Sequence, residues 1–119
     1  MSNKPKRKVL TATIAVGVSD STEVNFQGET LIGLHIDNHL TGTALTFKSA
    51  NSPGGTFDSV IDSANAAISF TVTAATACHI TLTQDQIARF SSIQNLKIHT
   101  GTQQATADCV ITLITKQTA

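Results

Sequence analysis

Two apolar-rich runs separated by a polar connector occupy residues 93–116. The first run alternates apolar and polar side chains: Leu96, Lys97, Ile98 and His99. Alternation with a period of two residues, in a run rich in β-branched side chains, indicates a strand. Because the connector contains a glycine, we predict that the two runs form an antiparallel hairpin. The second run is apolar on both faces, so we expect it in the middle of a packed structure or under a partner.

The same alternation recurs in shorter segments along the rest of the chain. In the segment 30–37, we expect Ile32, Leu34 and Ile36 to share one face. About eight short strands separated by turn signals every 8 to 12 residues indicate an all-β protein. The predicted fold is an antiparallel β-sandwich that resembles a jelly roll. Strands are predicted over 9–16, 24–26, 30–37, 45–48, 57–62, 68–72, 80–82 and the two closing runs.

Two local signals interrupt the strands. The Pro-Gly-Gly sequence at 53–55 favours a tight turn, so it predicts a hairpin connection between the strands on either side. A Thr-x-x-Gln pattern that begins at Thr83 resembles a helix capping box, and Ile87 and Phe90 have helical spacing. We therefore predict one helical turn within 83–90, closing an end of the sandwich.

Composition indicates one domain with a neutral surface. A length of 119 residues is typical of a single domain, and we predict a sandwich domain over 9–119 after a flexible basic arm at 1–8. Charged residues make up only 13% of the chain, about half of the usual quarter. Such a surface suits β-sandwiches, and it also suits proteins that are permanently packed against neighbours.

A net charge of zero conceals an uneven distribution. The arm carries half of all Lys and Arg: Lys4, Lys6, Arg7 and Lys8. The other four cations stand against eight carboxylates, so an arm of +4 precedes a body of −4. Three interpretations of the arm remain open. It is a solvated tail, it orders on an acidic protein surface, or it binds nucleic acid, which the acidic body and the absence of aromatic residues in the arm disfavour.

Targeting signals are weak. Residues 4–18 imitate a secretory signal, but Thr11 and Thr13 interrupt the apolar run, so we do not expect cleavage. No stretch approaches the ~20 apolar residues of a membrane span. We expect synthesis in the cytoplasm.

Candidate chemistry is sparse. The four histidines lie outside any HExxH motif, and the carboxylates are scattered in turns, so we predict no metal site, no cofactor and no enzyme. Cys78 and Cys109 have no metal or redox spacing; we expect reduced thiols in the core, with a disulfide as the alternative. A sugar-binding sandwich is a further alternative, which the absence of Trp and Tyr disfavours.

The pattern of segments resembles a family of small bacteriophage virion proteins, the capsid decoration or cement proteins. The resemblance extends over most of 9–116 and consists of the order and spacing of individually weak motifs. These are the opening Thr-Ala-Thr-Ile-Ala strand and the segments 31–36, 44–50, 54–57, 96–102 and 105–116.

This resemblance implies a structural protein that binds the outside of an assembled capsid and cements neighbouring subunits of the major capsid protein. It implies no catalytic residues. We expect a homodimer or homotrimer, because edge strands need cover. Other virion roles, at the head–tail junction or on tail fibres, and host adhesion through carbohydrate are the alternatives. The candidate contacts are the arm residues Lys4, Lys6, Arg7 and Lys8, and on the body Lys97 and His99.

Overall fold

A computed structural model describes residues 7–116 of the protein. Within this range the chain forms nine strands and one helix. In chain order they are β1 (Arg7–Ile14), β2 (Val24–Asn25), β3 (Thr30–Ile36), β4 (Ala44–Ala50), β5 (Asp58–Ser59), β6 (Phe70–Thr71), β7 (Cys78–Thr81), α1 (Gln84–Phe90), β8 (Asn95–Thr100) and β9 (Cys109–Lys116).

The strands form two antiparallel sheets. Sheet 1 has the order β1-β9-β3-β7, and sheet 2 has the order β2-β8-β4-β5, with the short β6 also paired to β4. The chain crosses between the sheets after β1, β2, β3, β6, β7 and β8. This alternation between a four-stranded and a five-stranded layer is the jelly-roll arrangement. The predicted all-β sandwich of jelly-roll type is therefore confirmed.

The core lies between the sheets, where alternate side chains of each strand meet. β4 contributes Leu45 and Phe47, which are 0% and 1% exposed. The Phe47 ring packs edge-on against Phe70 and Phe90, with ring centroids 5.5 and 5.0 Å apart. Edge-to-face pairs of this kind stabilise a core beyond their buried area. The three rings thus join β4, β6 and α1.

The predicted hairpin of the two closing runs is wrong. β8 pairs with β2 and β4 in sheet 2, whereas β9 pairs with β1 and β3 in sheet 1. Period-two alternation determines which face a side chain takes, but it does not determine the neighbouring strand. The expected central position of the second run is confirmed, because β9 lies between β1 and β3.

The connector between β8 and β9 crosses the end of the sandwich and is anchored by one buried side chain. Gln104 is 1% exposed. Its Oε1 accepts from the Thr41 amide at 2.7 Å, and its Nε2 donates to the carbonyl oxygens of His39 and Ala107 at 2.7 and 2.6 Å. Satisfying the whole amide inside the protein holds the crossing in place.

A β-bulge in β3 corrects one predicted face. The register with β9 advances from Leu31↔Thr115 to Gly33↔Ile114, so that Ile32 has no partner. Leu31, which is fully buried, therefore shares the inner face with Leu34 and Ile36, and Ile32 is only half-buried. The predicted grouping of Ile32 with Leu34 and Ile36 is wrong for this reason.

Both local signals are confirmed. The Pro-Gly-Gly sequence lies in the turn between the antiparallel β4 and β5. Helix α1 begins after Thr83, whose hydroxyl accepts from the Gln86 amide at 3.2 Å, while the Gln86 side chain accepts from the Thr83 amide at 2.9 Å. The predicted strands over 57–62 and 68–72 shorten to β5 and β6.

Strand β1 includes the last two residues of the predicted arm. Arg7 pairs with Lys116, and Lys8 pairs with Thr115. Lys4 and Lys6 lie outside the described residues.

The capping box gives a test of the helix. Thr83→Ala should lower the free energy of unfolding by about 1 kcal/mol, because the Gln86 amide loses its acceptor. Thr83→Ser retains the hydroxyl and is the matched control, with little change expected in urea unfolding followed by circular dichroism. Equal destabilisation by both variants would contradict a capping role.

Candidate partner-binding surfaces

The structure separates the predicted arm residues. Arg7 is exposed at the start of β1, whereas the half-buried Lys8 donates through Nζ to Gln27 Oε1 at 2.8 Å. Lys8 therefore ties β1 to the turn before β3 and is less available to a partner than Arg7.

The predicted body residues Lys97 and His99 lie on the outer face of sheet 2. They alternate along β8 with Leu96 and Ile98, which are fully buried. Across the strand pair, Lys97 lies opposite Lys48 and His99 lies opposite Thr46 on β4. The fold thus brings together a sheet 2 cluster, which consists of Asp20, Lys48, Phe57, Lys97 and His99.

Asp20 links Lys48 and His99 within this cluster. Its Oδ1 accepts from His99 Nδ1 at 2.6 Å, and its Oδ2 accepts from Lys48 Nζ at 3.0 Å. Burial alone would raise the pKa of Asp20, but the hydrogen bonds from His99 and Lys48 and the charge of Lys48 outweigh it, so the pKa lies below its ordinary value of 3.8. The carboxylate stays ionised and orients both partners.

Backbone pairing beside β8 positions Asp20. The Ser21 amide donates to the Ile98 carbonyl at 2.8 Å, and the Ile98 amide donates to Ser21 Oγ at 2.8 Å. The Thr100 amide donates to the Ser19 carbonyl at 2.9 Å. These bonds hold the segment 19–21 along the edge of β8, so the Asp20 side chain reaches His99 across the edge.

Phe57 enters the cluster from the turn after β4. Lys97 Nζ lies 4.7 Å from the centroid of the Phe57 ring, within the range of a cation–π contact. Gly54 takes a φ of 71°, which glycine adopts without strain, and its amide donates to Glu23 Oε1 at 3.0 Å. The turn is thereby held against sheet 2.

Lys97 is the cation of the cluster best placed to meet a partner. Among residues 7–116 it forms no salt bridge, whereas Lys48 is paired with Asp20. Its ammonium group is held over a ring, so little side-chain entropy remains to be lost when an acidic group binds. Within residues 7–116, Lys97 is therefore the cation of the cluster without a carboxylate partner.

The outer face of sheet 1 is a second surface, which the sequence did not reveal. Two rows of side chains cross all four strands of this sheet. One row contains Val9, Ile114, Gly33 and Thr81, and the next contains Thr11, Thr112, His35 and His79. With Thr13 and Val110 these residues form the sheet 1 outer face, and none of them is Lys, Arg, Asp or Glu.

This face combines exposed valines with four threonines and two histidines. Val9 is 63% exposed and Val110 is 39% exposed. The rings of His35 and His79 lie side by side, with centroids 4.3 Å apart. A contiguous exposed surface of β-branched side chains is typical of a protein contact. The apolar character of both faces of β9 was the sequence signal for it, but the pairing of β9 with β1 and β3 was needed to assemble the face.

The remaining groups of the described chain offer little for chemistry. A pocket of ≈ 520 Å³ beside α1 contains Arg89, which is paired with Asp62 at 3.4 Å and Asp85 at 3.2 Å. Within residues 7–116, no group of three or more His, Cys, Asp or Glu side chains is arranged to hold a metal ion. In the same range, no helix has the length and apolar character needed to cross a membrane.

Both cysteines are free thiols, as the sequence predicts, although Cys78 is only half-buried. Burial raises the pKa of Cys109 to about 12, and the neighbouring Asp37 carboxylate contributes to this shift. Cys109 is therefore protonated at neutral pH and belongs to the core.

Comparisons with known proteins identify the fold. No protein-family model matches the chain, and the curated proteins give no significant match. The structure is similar to that of the SPBc2 prophage-derived protein YomS, with a TM-score of 0.58 and 11% sequence identity over 98% of each chain. A chain of the cyanophage Pam1 capsid asymmetric unit aligns with a TM-score of 0.41 and 13% identity, over 99% of this chain and 89% of that chain.

The match to YomS extends over the whole length of both chains, so the two proteins share the fold. A TM-score of 0.41 is too low to infer a shared fold with the Pam1 chain.

The Asp20 bridge predicts a dependence of stability on pH. Because the folded-state pKa of Asp20 is lowered, its contribution is complete above the ordinary pKa and is lost as pH falls through the lowered value. Asp20→Asn should therefore unfold at lower urea than the natural protein near neutral pH, and the difference should shrink as the pH falls below the ordinary pKa of 3.8.

Asp58→Asn is the matched control for this experiment, because Asp58 is an exposed carboxylate on the same sheet. It should change stability little at either pH. A difference between Asp20→Asn and the natural protein that stayed constant with pH would contradict the bridge.

Thiol labelling tests the two cysteine environments. In the Cys78→Ser variant, the remaining Cys109 should resist labelling in the folded protein and react fully after unfolding in guanidinium, because it is buried and protonated. The Cys109→Ser variant is the comparison, with faster labelling of the half-buried Cys78. Rapid labelling of Cys109 in the folded protein would contradict the structure.

Proposed function

We propose that the protein is a structural virion component that binds the outside of an assembled bacteriophage capsid and cements neighbouring subunits of the major capsid protein. The observation that carries the proposal is that two different candidate contact surfaces lie on opposite faces of one sandwich. The sheet 2 cluster presents Lys48 and Lys97, and the sheet 1 outer face presents Val, Ile, Thr and His side chains. A protein of this kind can bind a shell subunit through one face and a further protein through the other, which suits it to bridging.

Two further observations favour a phage context. The sequence resembles decoration proteins in the order and spacing of its strand motifs. The fold is shared along its whole length with a protein that is prophage-derived. A shared fold alone does not determine function. Together with the sequence resemblance, it supports a structural role in a phage particle.

The mechanism is burial of protein surface that repeats over the shell. Contacts of a few hundred to ~1,000 Å² each are individually weak, but they become strong together when one protein holds two neighbouring subunits. Lys97 and His99 contact the capsid protein from the sheet 2 cluster. Lys4, Lys6 and Arg7 extend the contact through the arm to an acidic surface, and Lys8 supports the arm from within the fold.

Co-sedimentation with capsid shells of the phage that encodes the protein tests this function. The natural protein should pellet with shells, and comparison of expanded with unexpanded shells shows at which stage it binds. Deletion of residues 1–6, which leaves β1 intact, and Lys97→Glu should each weaken binding. The weakening should be about tenfold for Lys97→Glu, because like charges then face each other.

Ser92→Glu adds the same acidic side chain at an exposed position beyond α1 and should leave shell binding unchanged. Circular dichroism of every variant establishes that it is folded. Absence of the protein from both kinds of shell pellet would overturn the proposal. Binding to tails alone, or retention on a glycan column without shells, would replace it with a tail or an adhesion role.

A further inference from the structure

The sheet 1 outer face carries opposite charges at its two ends. At one end, Arg7 and Lys116 are exposed cross-strand neighbours. At the other end, the exposed Asp108 lies just before β9 and accepts from the Val16 amide at 3.0 Å. Asp37 accepts from the Val110 amide at 2.9 Å, and its carboxylate also lies 3.4 Å from His39 Nδ1. The two rows of uncharged side chains lie between these ends. The face is therefore polarised along the strand direction.

We propose that this face binds a second copy of the same chain, with the strands of the two sheets running in opposite directions. The two-fold axis lies in the interface and crosses the strands at a right angle. This axis places the Arg7 and Lys116 end of each copy over the Asp37 and Asp108 end of the other. A two-fold axis parallel to the strands would instead bring the two positive ends together, and like charges in contact disfavour that arrangement.

The rows of the face also fit this axis. The centre of the face lies between the row that begins at Val9 and the row that begins at Thr11. Each of these rows therefore packs on the other row of the second copy. On β3, His35 then lies over Gly33 and the adjacent Ile114 of the second copy. On β9, Thr112 packs on Ile114. Isologous contacts of this kind are the usual basis of homodimers.

The size of the face determines the strength of the dimer. From Arg7 to Thr13 the face is about 20 Å long, and the axes of its outer strands are about 14 Å apart. Each copy therefore buries roughly 400 Å², about half of what a partner contributes to a standard stable interface. We expect a reversible dimer that depends on protein concentration. On the shell, this dimer would be the homo-oligomer contact of the proposed cement protein. Only that role on the shell rests on the proposed function; the dimer itself does not.

Sedimentation velocity over a range of protein concentrations, without any shells, tests the dimer. The natural protein should pass from monomer to dimer as its concentration rises. Thr112→Glu places a carboxylate at the centre of the face and should raise the dissociation constant by more than about tenfold. Thr46→Glu is the matched control, since Thr46 is a half-buried threonine on the outer face of sheet 2, and it should leave self-association unchanged.

Lys116→Glu tests the direction of the two copies. In the proposed dimer, the new carboxylate faces acidic groups of the second copy, so this variant should raise the dissociation constant several-fold. If the positive ends met instead, the same variant would remove repulsion and tighten the dimer. Tightening would overturn the proposed axis. A monomer at every concentration, or a dimer unaffected by Thr112→Glu, would overturn the interface.

A shell-binding measurement distinguishes failure of the dimer from failure of the proposed capsid function. A monomeric Thr112→Glu protein that still pellets with shells supports the dimer interface and the capsid-binding surface as two distinct sites. An intact dimer that binds no shell counts against the capsid role alone.

Discussion

The position of β9 between β1 and β3 is the constraint on which the rest of the structure depends. The last described strand of the chain pairs with the first along its whole length, from Arg7↔Lys116 to Ile14↔Cys109. Sheet 1 therefore cannot form until residues about a hundred positions apart meet. Because closing long loops costs entropy before any contact offsets it, this topology is expected to fold slowly for its size. The same pairing creates the continuous outer face of sheet 1, since β9 supplies its central strand.

In sheet 2, loops hold polar side chains in a fixed arrangement on the outer face. Lys97 and His99 come from one strand, but their orienting partners, Asp20 and Phe57, come from two separate connections. The segment around Asp20 is tied to β8 by backbone hydrogen bonds. The turn before Phe57 is held by the bond from the Gly54 amide to the Glu23 carboxylate, so the fold positions both partners. Surface ion pairs contribute little stability in general. Their contribution here is to fix the geometry of the side chains in the sheet 2 cluster.

The sequence predicts the local features of this protein well and the long-range features less well. The inward side chains Leu45 and Phe47, the turn at 53–55 and the cap at Thr83 all follow from neighbours along the chain. The partners of β8 and β9 do not, because alternation specifies a face and leaves the pairing open. The bulge at Ile32 arises only when β3 pairs with β9, so no pattern in 30–37 marks it.

The candidate partner-binding surfaces show the same division. Lys97 and His99 are predicted as contacts, and the structure assembles them into one cluster, but Asp20 and Phe57 are distant in sequence and enter it only through the fold. The uncharged face of sheet 1 consists of residues from four strands, each unremarkable alone. Its exposure becomes apparent only when β1, β9, β3 and β7 are placed side by side.

The side-by-side placement of Arg7 and Lys116 has a consequence for engineering. Since these residues are direct neighbours on adjacent strands, polypeptides fused before the one or after the other would emerge from the same corner of the sandwich. A short linker could join the two positions and allow the chain to be opened at the exposed turn around 53–55 instead, with the pairing of β1 and β9 retained inside a continuous loop. The scaffold thus offers one attachment corner, at Arg7 and Lys116, and a second opening at the turn beside sheet 2.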